Sequence, residues 1–368
     1  MGAVSRLHLP SNVPNGALKG RGTVQNPANR FAREHLEPFD DGWDLPEEAP
    51  QRPQTSLMRD ATRGIIAHND SPDIGFDRSI NPYRGCEHGC IYCFARPSHA
   101  YLGLSPGLDF ETKIVFKPEA ARLLEAELSK PRYRPAVLAL GTNTDPYQPV
   151  ERTLGLTRGI LEVLERFDHP VSIVTKSAGV LRDLELLSRM AARKLVRVHL
   201  SITTLDPALA RAMEPRAAAP ARRLATVKAL INAGIPTGIM AAPMIPGVND
   251  AELESILEAA SQAGAINAHM QLLRLPLELG PLFTDWLHTH LPERANHVLS
   301  LIRQSRAGRL NDPAFGARFT GTGPFAELLQ QRFARAARQF RLDGPPPQLD
   351  VTQFRVPQAA PSTQLSLF

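Results

Sequence analysis

The sequence predicts an α/β fold, a partial TIM-like barrel of six strand-helix units with a helical extension, and two observations lead to it. Short aliphatic or β-branched runs alternate with amphipathic stretches of helical length between about residue 76 and about residue 290. This alternation is typical of a parallel sheet covered by helices. Six repeats of roughly 25 to 40 residues suit an open, partial barrel better than a complete eightfold one.

The six strands follow from the apolar runs. The first strand ends near residues 79–83, where the repeating pattern starts. The later runs are short and rich in aliphatic or β-branched residues, as buried strands are. They are 137–141, 171–175, 195–201, 235–241 and 268–273. The amphipathic stretches between them predict helices at 118–128, 153–167, 180–192, 222–233 and 250–263.

The two ends of the chain are predicted to lie outside the barrel. Prolines crowd the first 55 residues and the last 24. Residues 1–33 carry five basic side chains and no acidic one, whereas residues 34–48 carry seven acids and no base. Such composition favours disorder, because it buries little apolar surface. We expect a mostly disordered charged arm at 1–75, the barrel at 76–290, a basic helical region at 291–343 and a disordered proline-rich tail at 344–368.

Composition also narrows the classes of function. No apolar stretch reaches the roughly 18 residues that a membrane helix needs, and the amino-terminal residues lack the apolar segment of a secretory signal. We therefore expect a cytoplasmic protein with no membrane partner. The net charge of +5 permits contact with a polyanion without establishing it.

All three cysteines lie within eight residues, in the spacing C-x3-C-x2-C directly after a predicted strand: Cys86, Cys90 and Cys93. An odd number in so short a segment excludes a disulfide scaffold and points to metal chemistry. Thiolates are the ligands of iron-sulfur clusters, and three of them leave one iron of a four-iron cluster open. A zinc site completed by His88 or His99 is the alternative, although zinc modules usually pair C-x2-C units.

With Tyr92 as the aromatic residue before the last cysteine, this loop resembles the CxxxCx(aromatic)C motif of the radical S-adenosylmethionine (SAM) superfamily. The resemblance implies a barrel of the radical SAM type that holds a [4Fe-4S] cluster and SAM. It makes Cys86, Cys90 and Cys93 the metal ligands and catalytic residues. It also places Tyr92 beside the cofactors and SAM across the carboxyl ends of the strands.

Polar residues at the next two strand ends are therefore candidate SAM contacts. Thr144 and Asp145 follow the second strand, where members of the superfamily hold the amino group of SAM. Lys176 follows the third strand, where a cation suits the SAM carboxylate. The alternatives are a proline-rich turn that caps a helix and an ordinary surface lysine.

The fourth and fifth strands supply the remaining SAM candidates. Ser201 and Thr203 bring hydroxyl groups suited to the ribose. Met244 lies in an apolar turn where it could pack beside the adenine, although methionine is more often plain core. In the loop between these strands, Glu214 and Arg216 are either solvated charges or, for Arg216, a contact to cofactor or an anionic substrate.

Three strings in the core narrow the resemblance. T-D-P-Y-Q-P-x-E, T-K-S and A-P-x-I-P-G-x-N-D together resemble the spore photoproduct lyase and DNA repair photolyase-like branch, over roughly residues 76–290. In that branch a 5′-deoxyadenosyl radical takes a hydrogen atom from a thymine lesion in DNA. The resemblance implies hydrogen abstraction here, with an electron donor such as flavodoxin or ferredoxin.

The sequence departs from the lyases in one respect, because they use an additional cysteine to return a hydrogen atom and this chain has no fourth cysteine. A tyrosine, such as Tyr83, Tyr101 or Tyr147, or the regenerated deoxyadenosine would have to serve. The whole-chain pattern, which includes the string GRLNDPAFGARFTGTGP, looks closer to an uncharacterised group beside the lyases.

Two further features bear on partners. Arg332, Arg335 and Arg338 recur every three residues on a predicted helix and form either a ridge that faces phosphates or a solvated face. The chain ends in QLSLF, which resembles the pentapeptide by which bacterial repair proteins dock on the replication sliding clamp. Its anchoring residues would be Gln364, Leu365, Leu367 and Phe368.

These observations favour a radical SAM enzyme that acts on a DNA lesion or modified nucleic acid. A radical SAM enzyme acting on RNA, a peptide or a small molecule is the alternative. A zinc-stapled nucleic-acid-binding protein is a third reading. The sequence alone identifies neither the substrate nor the hydrogen-atom donor.

Overall fold

A computed structural model describes residues 18–23, 25–32 and 53–358 of the chain. The strands are β1 (Ser56–Arg59), β2 (Ile66–His68), β3 (Arg78–Ile80), β4 (Tyr83–Arg84), β5 (Lys113–Phe116), β6 (Leu138–Leu140), β7 (Val171–Thr175), β8 (Val196–Ser201), β9 (Thr237–Met244) and β10 (Ala268–Leu272). The α-helices are α1 (Leu108–Thr112), α2 (Ala120–Leu128), α3 (Glu151–Leu154), α4 (Leu156–Arg166), α5 (Leu184–Ala192), α6 (Pro207–Met213), α7 (Pro220–Asn232), α8 (Leu253–Gln262), α9 (Leu279–His290), α10 (Ala295–Gln304) and α11 (Pro324–Gln339). Short 3-10 helices occupy Arg96–Leu102, Ala178–Asp183, Asp250–Glu252 and Pro292–Arg294.

The main sheet confirms the predicted fold class. Its strand order is β10-β9-β8-β7-β6-β3-β2, and every neighbouring pair from β3 to β10 is parallel. These six parallel strands match the six predicted ones, and helices lie between them in sequence. Strand β2 adds an antiparallel strand at one edge.

Alternating burial in the strands shows how the sheet packs. In β7, Val171 and Ile173 are fully buried, whereas Ser172 between them is half-buried. Successive side chains of a strand point to opposite faces, so the buried row meets the helices. That row joins one large apolar cluster with α4, α5, α7 and α8.

Helix starts are set by local sequence. Pro207, Pro220 and Pro324 each stand at the first position of a helix, where the missing N–H would have no partner within the helix. The Asp206 carboxylate accepts the N–H of Ala208 at 2.7 Å and caps α6. Such capping is typically worth about 1 kcal/mol.

The amino-terminal arm differs from the expectation of disorder wherever the structure describes it. Strand β1 pairs with β5 in a second, three-stranded sheet of order β1-β5-β4. Further upstream, the Leu108 N–H donates to the Gln25 carbonyl at 3.0 Å. Backbone hydrogen bonds of this kind require no apolar composition, which is why composition did not reveal them.

The tail also packs further than predicted, as far as residue 358. The Asp350 N–H donates to the Lys194 carbonyl at 2.9 Å, and the Arg355 N–H donates to the Phe167 carbonyl at 3.1 Å. Lys194 lies two residues before β8, and Phe167 lies four residues before β7. Residues 344–358 therefore run along the amino ends of the strands. The clamp-binding residues predicted at Gln364, Leu365, Leu367 and Phe368 lie outside the described residues.

The predicted arginine ridge on α11 is divided. Arg332 donates to both carboxylate oxygens of Glu254 at 2.8 and 2.7 Å, so it joins α11 to α8. Arg335 and Arg338 are exposed. Among the described residues no helix is long and apolar enough to cross a membrane.

Candidate active site

The cysteine loop follows β4 at the carboxyl edge of the main sheet and is fixed by its own backbone. Cys86 and Cys90 are buried, Cys93 is half-buried, and none of the three is in a disulfide. The Cys86 N–H donates to the Phe110 carbonyl at 2.9 Å, and the Cys93 N–H donates to the Cys90 carbonyl at 3.2 Å. The predicted motif therefore forms one compact, reduced loop.

Two glycines of the loop leave room that a side chain would fill. Gly85 and Gly89 have φ values of +81° and +67°, a region that glycine adopts at little cost. A Cβ on Gly85 would lie 2.9 Å from the Phe110 carbonyl oxygen, and one on Gly89 would lie 2.7 Å from Glu111 Oε2. These positions require glycine for the loop to fold as it does.

Burial sets the electrostatics of the thiols. It raises the pKa of Cys86 well above the ordinary value, and the nearby Asp145 charge and the other two thiols add to the effect. Burial likewise raises the pKa of Cys90, which the Lys176 charge partly offsets. Thiols in such surroundings stay protonated unless a metal supplies positive charge. Three free thiols in one loop, two of them buried, are the donor set of an iron-sulfur cluster.

Each histidine that could complete a zinc site has one ring nitrogen engaged by the protein, and the other nitrogen of His99, Nδ1, is buried without a hydrogen-bond partner. His99 Nε2 lies 3.0 Å from the Lys113 carbonyl oxygen, and His88 Nδ1 lies 3.4 Å from Asp145 Oδ2. Over the described ranges, no three or more Cys, His, Asp or Glu side chains are grouped as ligands of a single metal ion. A four-iron cluster instead binds each thiolate at a separate iron, and the residues present fit that group.

A buried ion pair holds one side of the loop. Arg96 donates to Glu111 at 2.5 Å, to the Cys90 carbonyl at 2.9 Å and to the Gly89 carbonyl at 3.1 Å. The other Glu111 oxygen accepts the Gly22 N–H at 2.9 Å, so the described part of the arm is tied to the loop. Arg96 and Glu111 were not predicted, because nothing in the local sequence marks either side chain as buried.

A second buried carboxylate, Glu214, holds the other side of the loop. It accepts hydrogen bonds from the Tyr92 hydroxyl and the Arg223 guanidinium, and from the Thr203 hydroxyl at 2.8 Å. Glu214 is 2% exposed, so it is not a solvated loop charge. Of the predicted cofactor residues, Tyr92 and Thr203 are thus brought together, through a residue whose role had been left open.

Asp145 links two strand ends to the loop. Its carboxylate accepts the Thr175 hydroxyl and the Lys176 N–H, both at 2.7 Å, and the Tyr147 N–H at 2.9 Å. Burial alone would raise its pKa, but the His88 charge and these donors hold the pKa at about 2. The carboxylate is therefore ionised and well supplied with protein donors. Its contact with SAM stays a prediction.

Lys176 lies beside the loop, as a carboxylate-binding residue there would. Its Nζ is 5.7 Å from the centroid of the Tyr92 ring, and its charge lowers the pKa of Cys90. The cation therefore stands over the cysteine loop rather than out on the surface.

The other predicted SAM contacts, Thr144, Ser201 and Met244, are buried more deeply than Lys176. The Thr144 hydroxyl donates to the Tyr83 carbonyl at 3.0 Å. Ser201 is buried, and its carbonyl accepts the Arg223 guanidinium at 3.0 Å. Met244 is fully buried, and its carbonyl accepts the Leu273 N–H at 2.9 Å.

Arg216 and two of the three candidate tyrosines have protein partners. Arg216 pairs with buried Glu87 at 2.9 Å. The Tyr83 hydroxyl donates to Glu151, and the Tyr147 hydroxyl donates to Asp183 at 2.8 Å. Tyr101 is 73% exposed. None of these three tyrosines shares the Glu214 network with Tyr92.

Comparison with known proteins agrees with this geometry. Residues 80–260 match the family described as the radical SAM superfamily. An uncharacterised protein of Mycobacterium tuberculosis (strain ATCC 25618 / H37Rv) is 36% identical over 271 residues, which cover 73% of this chain and 76% of that protein. An uncharacterised protein of Methanocaldococcus jannaschii is 28% identical over 173 residues, which cover 47% of this chain and 62% of that protein.

Solved structures show the same fold. Spore photoproduct lyase complexed with dinucleoside spore photoproduct superposes with a TM-score of 0.55 at 16% sequence identity, covering 77% of this chain and 79% of the lyase. A double mutant of that lyase with bound AdoMet and dinucleoside spore photoproduct gives 0.54 at 15% identity, covering 77% and 78%. At such identity the likeness establishes the fold alone.

Proposed function

Because the chain belongs to the radical SAM superfamily, whose cofactors are a [4Fe-4S] cluster and SAM, we propose that it abstracts a hydrogen atom from a lesion or modified nucleotide in DNA. The observation that carries the chemistry is the loop of three free thiols, two buried and one half-buried, at the carboxyl edge of the sheet. Cys86, Cys90 and Cys93 hold the cluster. Together, the bound cluster and SAM supply an electron and a hydrogen-abstracting organic radical.

Residues around the loop orient these cofactors. Glu214 fixes the Tyr92 ring, and Arg96 fixes the carbonyls of Gly89 and Cys90. A loop fixed on both sides keeps its three thiols in one position. Preorganised surroundings of this kind avoid the cost of reorganisation during the reaction.

We assign SAM to the strand ends beside the loop. Lys176 binds the SAM carboxylate, because its cation lies next to Tyr92 and Cys90. Thr144 and Asp145 serve the amino group, directly or by positioning the turn that carries them. Ser201 and Thr203 serve the ribose, and Met244 backs the adenine. Each of these side chains belongs to the carboxyl end of a parallel strand, where ligands of such sheets bind.

The nucleic-acid substrate is supported by the fold and by charge. The structure has the fold of spore photoproduct lyase, which was solved with a dinucleoside photoproduct, and the chain carries a net charge of +5. The chain lacks a fourth cysteine. A returned hydrogen atom therefore comes from a tyrosine or from deoxyadenosine, and we do not assign the reaction of the lyase itself.

Three partners complete the proposal. A flavodoxin or ferredoxin supplies the electron in the cytoplasm. DNA is the substrate polymer. The sliding clamp binds Gln364, Leu365, Leu367 and Phe368. Truncation after Thr363 should abolish capture of the full-length protein by immobilised clamp while leaving SAM cleavage intact. Unchanged capture by the truncated chain would refute the clamp assignment.

The test of the substrate is isotope transfer. Reconstituted protein is incubated with SAM, dithionite and an ultraviolet-irradiated oligonucleotide that carries deuterated thymine. We expect deuterium in the 5′-deoxyadenosine that forms, and none with the unirradiated oligonucleotide as control. Abundant 5′-deoxyadenosine without deuterium from any DNA would contradict the DNA substrate while leaving the radical chemistry in place.

A further inference from the structure

A stack of alternating phenylalanine and arginine side chains stands at the carboxyl end of β10. The Arg274 guanidinium lies 4.7 Å from the centroid of the Phe94 ring and 5.1 Å from that of Phe319. The Arg318 guanidinium lies 4.8 Å from the centroids of both Phe319 and Phe315. We call these five side chains the Phe-Arg stack. It adjoins the cluster loop directly, since Phe94 follows Cys93 in the chain.

The stack is held by a buried arginine and a carboxylate that lie beside it. Fully buried Arg306 donates to the Leu272, Leu273 and Ala317 carbonyls at 3.0, 2.6 and 2.9 Å, which fastens the segment that carries the stack to the end of β10. Asp73 accepts the Arg318 Nε at 2.8 Å. The stack is therefore built in advance and does not require a ligand to assemble.

Three groups of the Phe-Arg stack are available for further contacts. Phe94 is 43% exposed and Phe315 is 61% exposed, so an aromatic ring at each end lacks full cover. Arg274 forms no salt bridge with any residue in the described ranges, and its Nε is buried with no hydrogen-bond partner. A buried donor without an acceptor is costly, so Arg274 invites an acceptor that the protein does not provide.

A second arginine that lies against aromatic rings differs from Arg274 in having a carboxylate partner. The Arg30 guanidinium lies 4.7 Å from the Phe31 ring centroid and 4.9 Å from that of Tyr101. Here Glu278 accepts Arg30 at 2.8 Å, so the cation is neutralised within the protein. Arg274 likewise lies against two aromatic rings, but no described carboxylate pairs with it.

We propose that the Phe-Arg stack binds an unpaired segment of nucleic acid at the mouth of the barrel. Bases stack on the exposed rings of Phe94 and Phe315, and a phosphate or base acceptor takes the terminal N–H groups of the Arg274 guanidinium, which donate to no described residue. Aromatic rings interleaved with cations are the chemistry by which proteins hold single strands. The proposal rests on the proposed function, because it names the surface that would bring an extruded nucleotide to the cluster loop.

Binding of a fluorescein-labelled thymidine oligonucleotide to the reconstituted full-length protein, followed by fluorescence anisotropy, tests the stack. We expect Phe315→Ala to raise the dissociation constant about tenfold, as loss of a base-stacking ring does. Arg274→Gln should weaken binding and reduce the salt dependence by about one phosphate contact. The matched control is Phe31→Ala, an exposed phenylalanine 54% accessible to solvent, which should change binding less than twofold.

The outcomes separate the stack from the proposed function. Wild-type binding that Phe315→Ala and Arg274→Gln leave unchanged, with iron content and melting temperature preserved, would overturn the stack alone. Equal loss in Phe31→Ala would also overturn it, because the effect would then be general. Competition by polyglutamate as strong as that by the oligonucleotide would overturn the assignment to nucleic acid. If an oligouridine also binds, and its binding depends on Phe315 in the same way, the result would support the stack and identify RNA as a polymer that the stack accepts. If the stack variants behave as expected but no deuterium passes from DNA, the stack stands and the proposed DNA chemistry fails.

Discussion

The two ends of the parallel strands in the main sheet are stabilised in different ways. We call the side where the strands end the carboxyl edge and the side where they begin the amino edge. At the carboxyl edge, the carboxylates of Glu111 and Glu214 are buried and the Asp145 side chain is 9% exposed, and each is surrounded by donors next to the cysteine loop. At the amino edge, Phe354 of the tail packs on aromatic rings, with centroids 5.4 Å from Tyr133 and 6.3 Å from Phe167. The carboxyl edge concentrates three such carboxylates around one loop, whereas the amino edge combines apolar packing with a buried carboxylate, Asp168, which Arg355 of the tail pairs at 2.6 Å.

The difference indicates where the molecule does its chemistry. A buried carboxylate costs free energy unless its charge and hydrogen bonds are matched, and apolar packing would stabilise the fold at lower cost. The charged side chains concentrated around the cysteine loop therefore position the loop and do not mainly stabilise the fold. Changes at the carboxyl edge should alter SAM cleavage, whereas changes at the amino edge should alter stability alone.

Breaking the Glu214 pair should have the largest effect. Arg223→Met leaves Glu214 buried without its cation, and such unpaired charges cost about 3 to 5 kcal/mol of the free energy of unfolding. SAM cleavage should fall as well, because the carboxylate that accepts the Tyr92 hydroxyl is no longer held by Arg223. Anaerobic urea unfolding and 5′-deoxyadenosine yield measure both, with exposed Arg335→Met as control. A variant as stable and active as the control would remove the special role of this edge.

Acid should weaken the amino edge through His169. Burial lowers its pKa to about 4, aided by the charge of Arg78, so the unfolded chain binds the proton more readily than the folded one. The contribution of neutral His169 to the free energy of unfolding is fully present above about pH 6.5, the approximate pKa of histidine in the unfolded chain. It is lost as the pH falls towards 4, and the loss is about 2 kcal/mol at pH 5. Urea unfolding at pH 7 and pH 5 checks this. His169→Gln should lose that part of the pH dependence, and an unchanged dependence would contradict the assignment.

Removing the tail's aromatic anchor should have a smaller effect. Phe354 is half-buried, so Phe354→Ala should destabilise the fold by about 1.5 kcal/mol, below the cost for a fully buried phenylalanine. SAM cleavage by the folded protein should stay at the wild-type rate. Thermal unfolding and the cleavage assay measure the two quantities. A loss of cleavage without a loss of stability would contradict the separation of the two edges.

The smallest effect is expected at the carboxyl edge itself. Thr203→Val removes one hydroxyl donor to Glu214, which should cost about 1 kcal/mol of stability. If Thr203 also serves the ribose, the KM for SAM should rise more than kcat falls. A Thr226→Val variant is the control, because that buried hydroxyl bonds only the Arg222 carbonyl of its own helix, at 2.8 Å. Equal KM values in the two variants would leave Thr203 a structural residue.

The sequence predicted what is local and periodic. Six strands were found because apolar runs recur, and the cysteine loop was found because its three ligands lie within eight residues. The carboxylate pairs were missed because Tyr92 and Glu214 are 122 positions apart and Gly22 and Glu111 are 89 apart. The three-residue spacing of arginines on α11 predicted either a phosphate-facing ridge or a solvated face, but Arg332 pairs with Glu254 on a neighbouring helix instead.

Anaerobic reconstitution followed by iron, sulfide and zinc analysis, with a dithionite-driven SAM cleavage assay, tests the central claim most directly. The comparison is between wild type and Cys86→Ala. We predict about four iron and four sulfide per wild-type chain, and 5′-deoxyadenosine from the wild type alone. Stoichiometric zinc with no cleavage in either protein would contradict the assignment.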